Sequence, residues 1–259
     1  MDKILRFFLL LLPLCSCSVK EDRGLCPCEL TVRSSEPLKT EGDVLVSVIQ
    51  DGSVVRQGMM SRMDFESGNC VLTVPRRPSV VTVFTGITDM NTVSGRRLDI
   101  LSDHECDELY SCSATAELSA DTGECVVTPH KNYARLHLAV LGLPENSDLK
   151  VSGPVKGYDL LSLVPCEGMF LCGPRPDETA SNWLLRLPRQ VDDSLSMEIL
   201  NAAGDMLGEV GLGRLIAASG YSYVDEDLMD ISVTVDLTRS TAIVHISGWE
   251  SDSEFSIDY

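Results

Sequence analysis

The stretch Asn132-Tyr133-Ala134-Arg135-Leu136-His137-Leu138-Ala139-Val140 decides the fold class. Ala134, Leu136, Leu138 and Val140 fall on one side of an extended chain and Arg135 and His137 on the other, a period of two that belongs to a half-buried strand rather than a helix. Similar runs lie upstream. Leu30 and Val32 begin them, and Val44, Val46 and Val48 then precede Asp51-Gly52, a two-residue hairpin signal after which the chain resumes at Ser53-Val54-Val55. Further apolar runs stand at 71–74, 80–84 and 125–128, and downstream at 149–151, 183–187, 195–200, 231–235 and 242–246. One short helix is expected, near 212–219. Many short strands without strand–helix–strand alternation imply an all-β fold of two antiparallel β-sandwich domains. The boundary is expected near Pro129-His130, with an N-terminal domain over 29–129 and a C-terminal domain over 130–259.

Composition agrees with packed cores, since 44% of the 259 residues are hydrophobic and 23% charged. The 39 acidic against 21 basic residues give a net charge of −18. That balance argues against unspecific nucleic-acid binding and against charge-driven attachment to an anionic bilayer, because both require clustered Lys and Arg.

At the N-terminus Lys3 and Arg6 precede an apolar run over 7–14, the charged and apolar regions of an export signal. The run is too short to span a bilayer, which takes about 20 residues. It ends in Leu14-Cys15-Ser16-Cys17, which resembles the bacterial lipoprotein box. Pro13 and Leu14 are too bulky to precede the acylated residue, so the match selects Cys17 over Cys15. The expectation is a lipoprotein signal peptide over 1–16, then a lipidated Cys17 with a tether over 17–28; an ordinary cleaved signal is the alternative. Each buried methylene adds about 0.8 kcal/mol and one acyl chain anchors only marginally, so several chains on Cys17 would hold durably. Lys20-Glu21-Asp22 in the tether resembles the signal that sends lipoproteins of Bacteroidota to the outer face of the outer membrane.

Eight cysteines remain in the body: Cys26, Cys28, Cys70, Cys106, Cys112, Cys125, Cys166 and Cys172. An even number in an oxidising compartment reads as up to four disulfides, and the 105 arrangements that eight cysteines allow leave the pairing open. Cys26-Pro27-Cys28 lacks the spacing of a redox motif, and Cys166 with Cys172 lacks a matching His pair, so neither zinc nor redox chemistry is expected.

Tests for catalysis find no convergent site. His137 and His245 sit on the polar phase of strands and read as surface residues. Asp103-His104-Glu105-Cys106-Asp107-Glu108 reads as a solvated acidic loop carrying a disulfide, because successive residues do not converge on one ion. Gly208, Gly211 and Gly213 read as turn glycines. Asp225-Glu226-Asp227 with Asp230 lacks the spacing and central glycine of a calcium loop and reads as an exposed connection. Met59, Met60 and Met63 read as adaptable core filling. No nucleophile motif, metal site or cofactor site is expected, and the chain reads as a non-enzyme.

Three stretches carry a resemblance to the FimB/Mfa-like fimbrial anchor and accessory proteins of Bacteroidota. They are 17–23 with Cys26-Pro27-Cys28 and Leu30; 132–138 running to Gly142-Leu143-Pro144, Val151-Ser152-Gly153 and Tyr158-Asp159; and 230–235 with Val244-His245-Ile246 and Trp249. The resemblance implies two transthyretin-like sandwiches, a lipid tether at the outer membrane, and attachment or termination of a fimbrium through strand exchange with pilin or accessory subunits. In strand exchange, main-chain hydrogen bonds supply affinity and alternate side chains fill pockets. It implies further that the strand around Leu30 and Val32 stays in place, because cutting near Arg23 would sever the body from Cys17. Phe255, Ile257 and Tyr259 alternate with polar residues as a donor strand would, and equally as a last core strand would. An adhesin or fimbrial tip subunit binding host protein or glycan is the alternative function.

Overall fold

The computed structural model describes residues 23–176 and 182–259; Cys17 and the signal segment lie outside them. The first sandwich begins with a three-stranded sheet in which β1 (Pro27–Ser34) lies between β4 (Val71–Pro75) and β9 (Thr122–Val127). Its second sheet runs β10 (His130–Lys131), β8 (Tyr110–Ala116), β5 (Ser79–Ile87), β2 (Asp43–Gln50), β3 (Ser53–Met60). The β2–β3 turn is the expected Asp-Gly hairpin, with both Asp51 (φ 50°) and Gly52 (φ 74°) in the left-handed region.

The second sandwich has a sheet ordered β14 (Arg175–Pro176), β15 (Asn182–Pro188), β11 (Tyr133–Leu141), β18 (Ile231–Asp236), β19 (Thr241–Ile246), β20 (Ser253–Ser256). Facing it are β17 (Met206–Val210), β16 (Ser196–Leu200), β12 (Asp148–Asp159), β7 (Arg97–Ile100) and β6 (Asn91–Ser94), with β13 (Pro165–Cys172) also paired to β12. Ala134, Leu136, Leu138 and Val140 of β11 all enter the core between these sheets, as their alternation requires. The sheets are antiparallel apart from β1–β9 and β11–β18, which run parallel.

Two features join the halves. The five-stranded sheet is buried on both faces: Val44, Val46, Val48, Val81 and Val83 pack into the first core, whereas Leu45 and Phe84 join the second. Thr82 donates its hydroxyl to the Leu160 carbonyl at 2.7 Å, and the rings of Phe84 and Tyr158 stand 6.1 Å apart. The β6–β7 hairpin, formed by residues 91–100, crosses over and pairs with β12 of the second sandwich. It comes so close that a Cβ at Gly157 would sit 2.0 Å from the Leu98 carbonyl oxygen, so only glycine fits there.

Several local expectations are corrected. The segment 103–108 is solvated only at Asp103 and His104, and turns inward from Glu105 on. Asp107 is fully buried, accepting from the Thr88 amide (2.7 Å), the Thr88 hydroxyl (2.5 Å) and the Asn91 amide group. Glu105 receives the Arg186 guanidinium at 2.8 Å and its backbone N–H at 3.0 Å. A run of acids reads as solvent-facing in sequence because the Thr, Asn and Arg donors that satisfy it come from distant strands. Met63 is 75% exposed and Met59 47%, and of the three methionines Met60 alone packs against the core. Met59 and Met60 end β3, and Met63 lies within a second helix, α1 (Arg62–Glu66), opened by Ser61, whose side chain accepts from the Asp64 N–H at 3.2 Å. The Ser-x-x-Asp signature at 61–64 was the available signal. The expected helix is α2 (Leu212–Ala218). Gly208 lies in β17, Gly211 stands at the N-cap of α2 and Gly213 lies within it, so none is a turn glycine.

Candidate functional site

Strand β1 occupies the middle of its sheet. It pairs antiparallel with β4 from Pro27↔Pro75 to Thr31↔Val71 and parallel with β9 from Glu29↔Thr122 to Ser34↔Val127. Its alternate residues Cys28, Leu30 and Val32 are fully buried in the first core. Burying each such side chain contributes about 1.5–3 kcal/mol, so withdrawing β1 would uncover the core between β4 and β9.

Both ends of β1 are pinned. At its entry the Arg76 backbone N–H donates to the Cys26 carbonyl at 3.0 Å, its guanidinium donates to the Pro27 carbonyl at 3.0 Å and pairs with Asp121, and the Glu29 N–H donates to the Asp121 carbonyl at 2.8 Å. At its exit the Ser35 N–H donates to the Val127 carbonyl at 2.8 Å, and Arg33 pairs with Glu124. Ahead of the strand, Arg23–Leu25 form one 3-10 turn with Leu25 72% exposed. Nothing in the alternation at Leu30 and Val32 pointed to Arg76 or Asp121 as partners, since they come from turns far away in sequence.

The C-terminal segment is an edge strand of its own chain. β20 pairs with β19 in the register Phe255↔Ala242, Ile257 enters the second core and donates its N–H to Ser240, and the Tyr259 hydroxyl donates to the Leu237 carbonyl at 2.6 Å. This is the core-strand arrangement that the alternation of Phe255, Ile257 and Tyr259 also allowed. His245 and Asp252 meet at 2.7 Å beside it, and His137 lies on the outer face of β11.

The connection between the halves is clamped by the segment after α2. Asp227 accepts the Lys131 N–H and faces His130 at 3.1 Å; Asp230 pairs with the Lys131 ammonium and accepts the Arg135 N–H at 2.9 Å. Burial pushes the Asp230 carboxyl upward, but the Lys131 ammonium and the Arg135 N–H outweigh it and hold the group below the usual carboxylate range. Arg189 fastens the same segment from inside, donating to the carbonyls of Tyr223, Asp225 (2.7 Å) and Glu226 (3.1 Å) and to the Asn132 side chain (2.6 Å). The connection at 225–227 is exposed, as expected, and the carboxylates of Asp227 and Asp230 fasten it to the start of the second sandwich. Among the described residues no group of three or more His, Cys, Asp or Glu is placed to hold a metal ion.

Among the described residues none of the eight body cysteines is bonded to another. Cys28, Cys70, Cys112 and Cys125 belong to the first core, Cys106 and Cys172 to the second, and Cys26 and Cys166 are part-exposed. Burial raises the thiols of Cys70 and Cys172 to about 11 and that of Cys112 to about 12. A surface cleft of about 1090 Å³ opens at one end of the second sandwich among the segments 140–150, 173–176 and 200–204, with Leu143, Pro174, Trp183 and Asn201 in its walls. Ser147 also lines it, its buried hydroxyl having no hydrogen-bond partner among the described residues.

No protein-family model matches the chain, and no curated protein matches it in sequence. Solved structures match its fold. A protein of Bacteroides thetaiotaomicron, solved as a candidate polysaccharide-binding protein, shares 12% identity at a TM-score of 0.63, covering 89% of this chain and 98% of its own. A candidate adhesin from Bacteroides ovatus shares 12% at 0.60, covering 88% and 95%. The fimbrial anchor protein Mfa2 from Porphyromonas gingivalis shares 11% at 0.62, covering 86% of this chain and 98% of that one. The two-sandwich architecture of this chain is thus the fold of the Mfa2 anchor and of these adhesin-like proteins.

Proposed function

We propose that this chain is a lipid-anchored outer-membrane subunit that attaches or terminates a fimbrium through strand-exchange contacts with pilin or accessory subunits. The observation that carries the reading is β1. It fills the middle of the three-stranded sheet of the first sandwich, is pinned at both ends, and begins ten residues after Cys17, where the expected tether starts. A subunit whose own N-terminal strand stays in the groove offers no vacancy there to a neighbour, so the polymer ends on it. The likeness to the Mfa2 fold supports a fimbrial role.

The test is recovery of the native protein from its cells after mild crosslinking, with gels run with and without strong heating and partners identified by mass spectrometry. A heat-sensitive ladder containing a pilin, with the subunit's N-terminus at an acylated Cys17, is the expected result. A mature N-terminus after Arg23 overturns the terminating role, and a single band without pilin overturns the fimbrial one.

The cleft beside Trp183 favours a second reading, an adhesin or tip subunit that binds host protein or glycan, in line with the adhesin-like proteins that share the fold. Binding of an isolated glycan by the purified full chain, lost on filling the cleft by Asn201→Trp, would move this reading to the front.

A further inference from the structure

The fold sorts the cysteines that sequence spacing leaves open. Cys166 and Cys172 stand at opposite ends of β13, six residues apart on one strand. At about 3.3 Å per residue their Cα atoms are roughly 20 Å apart, far beyond the 4.4–6.8 Å that a disulfide spans. Cys112 and Cys125 are placed differently. β8 ends at Ala116 and β9 begins at Thr122, so the two strands are joined by one short turn. Cys112 lies four residues before that turn and Cys125 three residues after its end, at nearly equal depth along neighbouring strands of the two facing sheets. Both side chains are buried in the first core, on the inward phase that Ala116 shares on β8 and Val127 on β9. The Cys112 thiol also accepts the Thr128 N–H, which brings it against the end of β9, and it lies near enough to Cys125 for the ionisation of one to raise the pKa of the other.

We propose that Cys112 and Cys125 form a disulfide that joins the two sheets of the first sandwich. The proposal rests on the export reading above, which places the chain where thiols are oxidised. The oxidant is the disulfide of a thiol–disulfide oxidase. One cysteine thiolate attacks it, releasing one oxidase thiolate and forming a mixed disulfide. The second cysteine thiolate then attacks the substrate sulfur of that bond and releases the other oxidase thiolate. Two electrons pass to the oxidase, whose two sulfurs take up the two protons. Because burial holds the Cys112 thiol at about 12 and raises that of Cys125, exchange is fast only before β9 closes over the core. Once folded, the bond is shielded from reductant.

The test uses the full chain in two preparations, one isolated from its own cells with free thiols blocked at lysis, the other unfolded, reduced and refolded in a glutathione redox buffer. Cleavage after glutamate separates the two cysteines, Cys112 falling in the peptide 109–117 and Cys125 in 125–145. The expected result in both preparations is one crosslinked pair of these peptides that separates on reduction. Blocked Cys112 and Cys125 in the refolded protein, or a bond from either to another cysteine, overturns the proposal. The bond in refolded protein but not in native protein leaves the pairing standing and overturns export. As a second measurement, Cys112→Ala and Cys125→Ala should each lower Tm by the same amount as reducing the wild type, with no further loss in the double variant. Additive losses would show two separate packing sites, and no bond.

Discussion

Tyr259 packs on the backbone of Gly208, where an added Cβ would lie 3.3 Å from the ring Cδ2. Gly208 belongs to β17 at the edge of one sheet, and Tyr259 follows β20 at the edge of the other, so this contact closes one side of the second sandwich. A branched side chain must displace the ring. Gly208→Val is expected to cost about 1–3 kcal/mol by overpacking, read as a lower urea midpoint, with residues after β20 cut sooner by protease. An unchanged midpoint would mean that the tail does not hold the edge. Ile257→Ala, which empties a core site, should cost about 2–5 kcal/mol. For that reason a deletion of 253–259 tests strand donation only when stability is measured beside assembly.

The hold on β1 can be separated into core and clamp. Leu30→Ala should lower stability by about 2–5 kcal/mol, as for a buried Leu truncated to Ala in a packed core. Arg76→Ala removes the Pro27 hydrogen bond and the Asp121 pair at the strand's entry, and should act mainly locally. Faster cleavage of the 23–27 region, with a global midpoint shift well below that of Leu30→Ala, is the outcome to look for. Equal shifts would show that Arg76 is instead part of the cooperative core.

Replacing Cys17 by Ala should release the protein into the soluble fraction with its unfolding curve unchanged, because the tether precedes β1 and its partners. Fractionation beside urea denaturation checks both halves. Full retention in the membrane with the signal removed would exclude acylation at this residue.

Acid should loosen the connection between the sandwiches. Asp230 is held below the ordinary carboxylate range in the folded state, so between its folded value and about 3.9 the unfolded chain binds the extra proton. Its contribution is therefore complete above about pH 4 and lost as pH falls through the folded value. Asp230→Asn keeps the shape but loses the charge facing Lys131, and hydrogen bonds to charged groups contribute about 1.5–3 kcal/mol. Urea midpoints should fall for the variant at pH 7 and converge with the wild type toward pH 2. Parallel curves at all pH values would assign the acid sensitivity elsewhere.

The strands were legible wherever one face of a strand is buried. Leu136 and Leu138 point to the core while His137 faces outward, and the periodicity records it. The Asp51-Gly52 turn was legible because its backbone conformation selects those residues. Strands buried on both faces, β2 and β5, showed as apolar runs, whereas β13 shows little alternation, and the short β6 and β7 are decided by what they cross, not by their own residues. The anchorage of β1 was half visible. Its buried face was in the sequence, but the guanidinium of Arg76 and the carbonyl of Asp121 meet it only through the fold, as do the donors around Asp107 and Asp230.

The parallel pairing of β1 with β9 has a mechanical consequence. A pull on the segment ahead of Pro27 enters β1 at its N-terminal end, whereas the resisting force from the second sandwich enters β9 at its C-terminal end, through 128–130. In a parallel pair those are opposite ends, so the six register positions from Glu29↔Thr122 to Ser34↔Val127 carry the tension simultaneously, in shear. An antiparallel pair would bring both forces to the same end and open its hydrogen bonds one after another, like a zip. The direction in which β9 runs thus sets how strongly the first sandwich resists being pulled apart from the N-terminal end of β1.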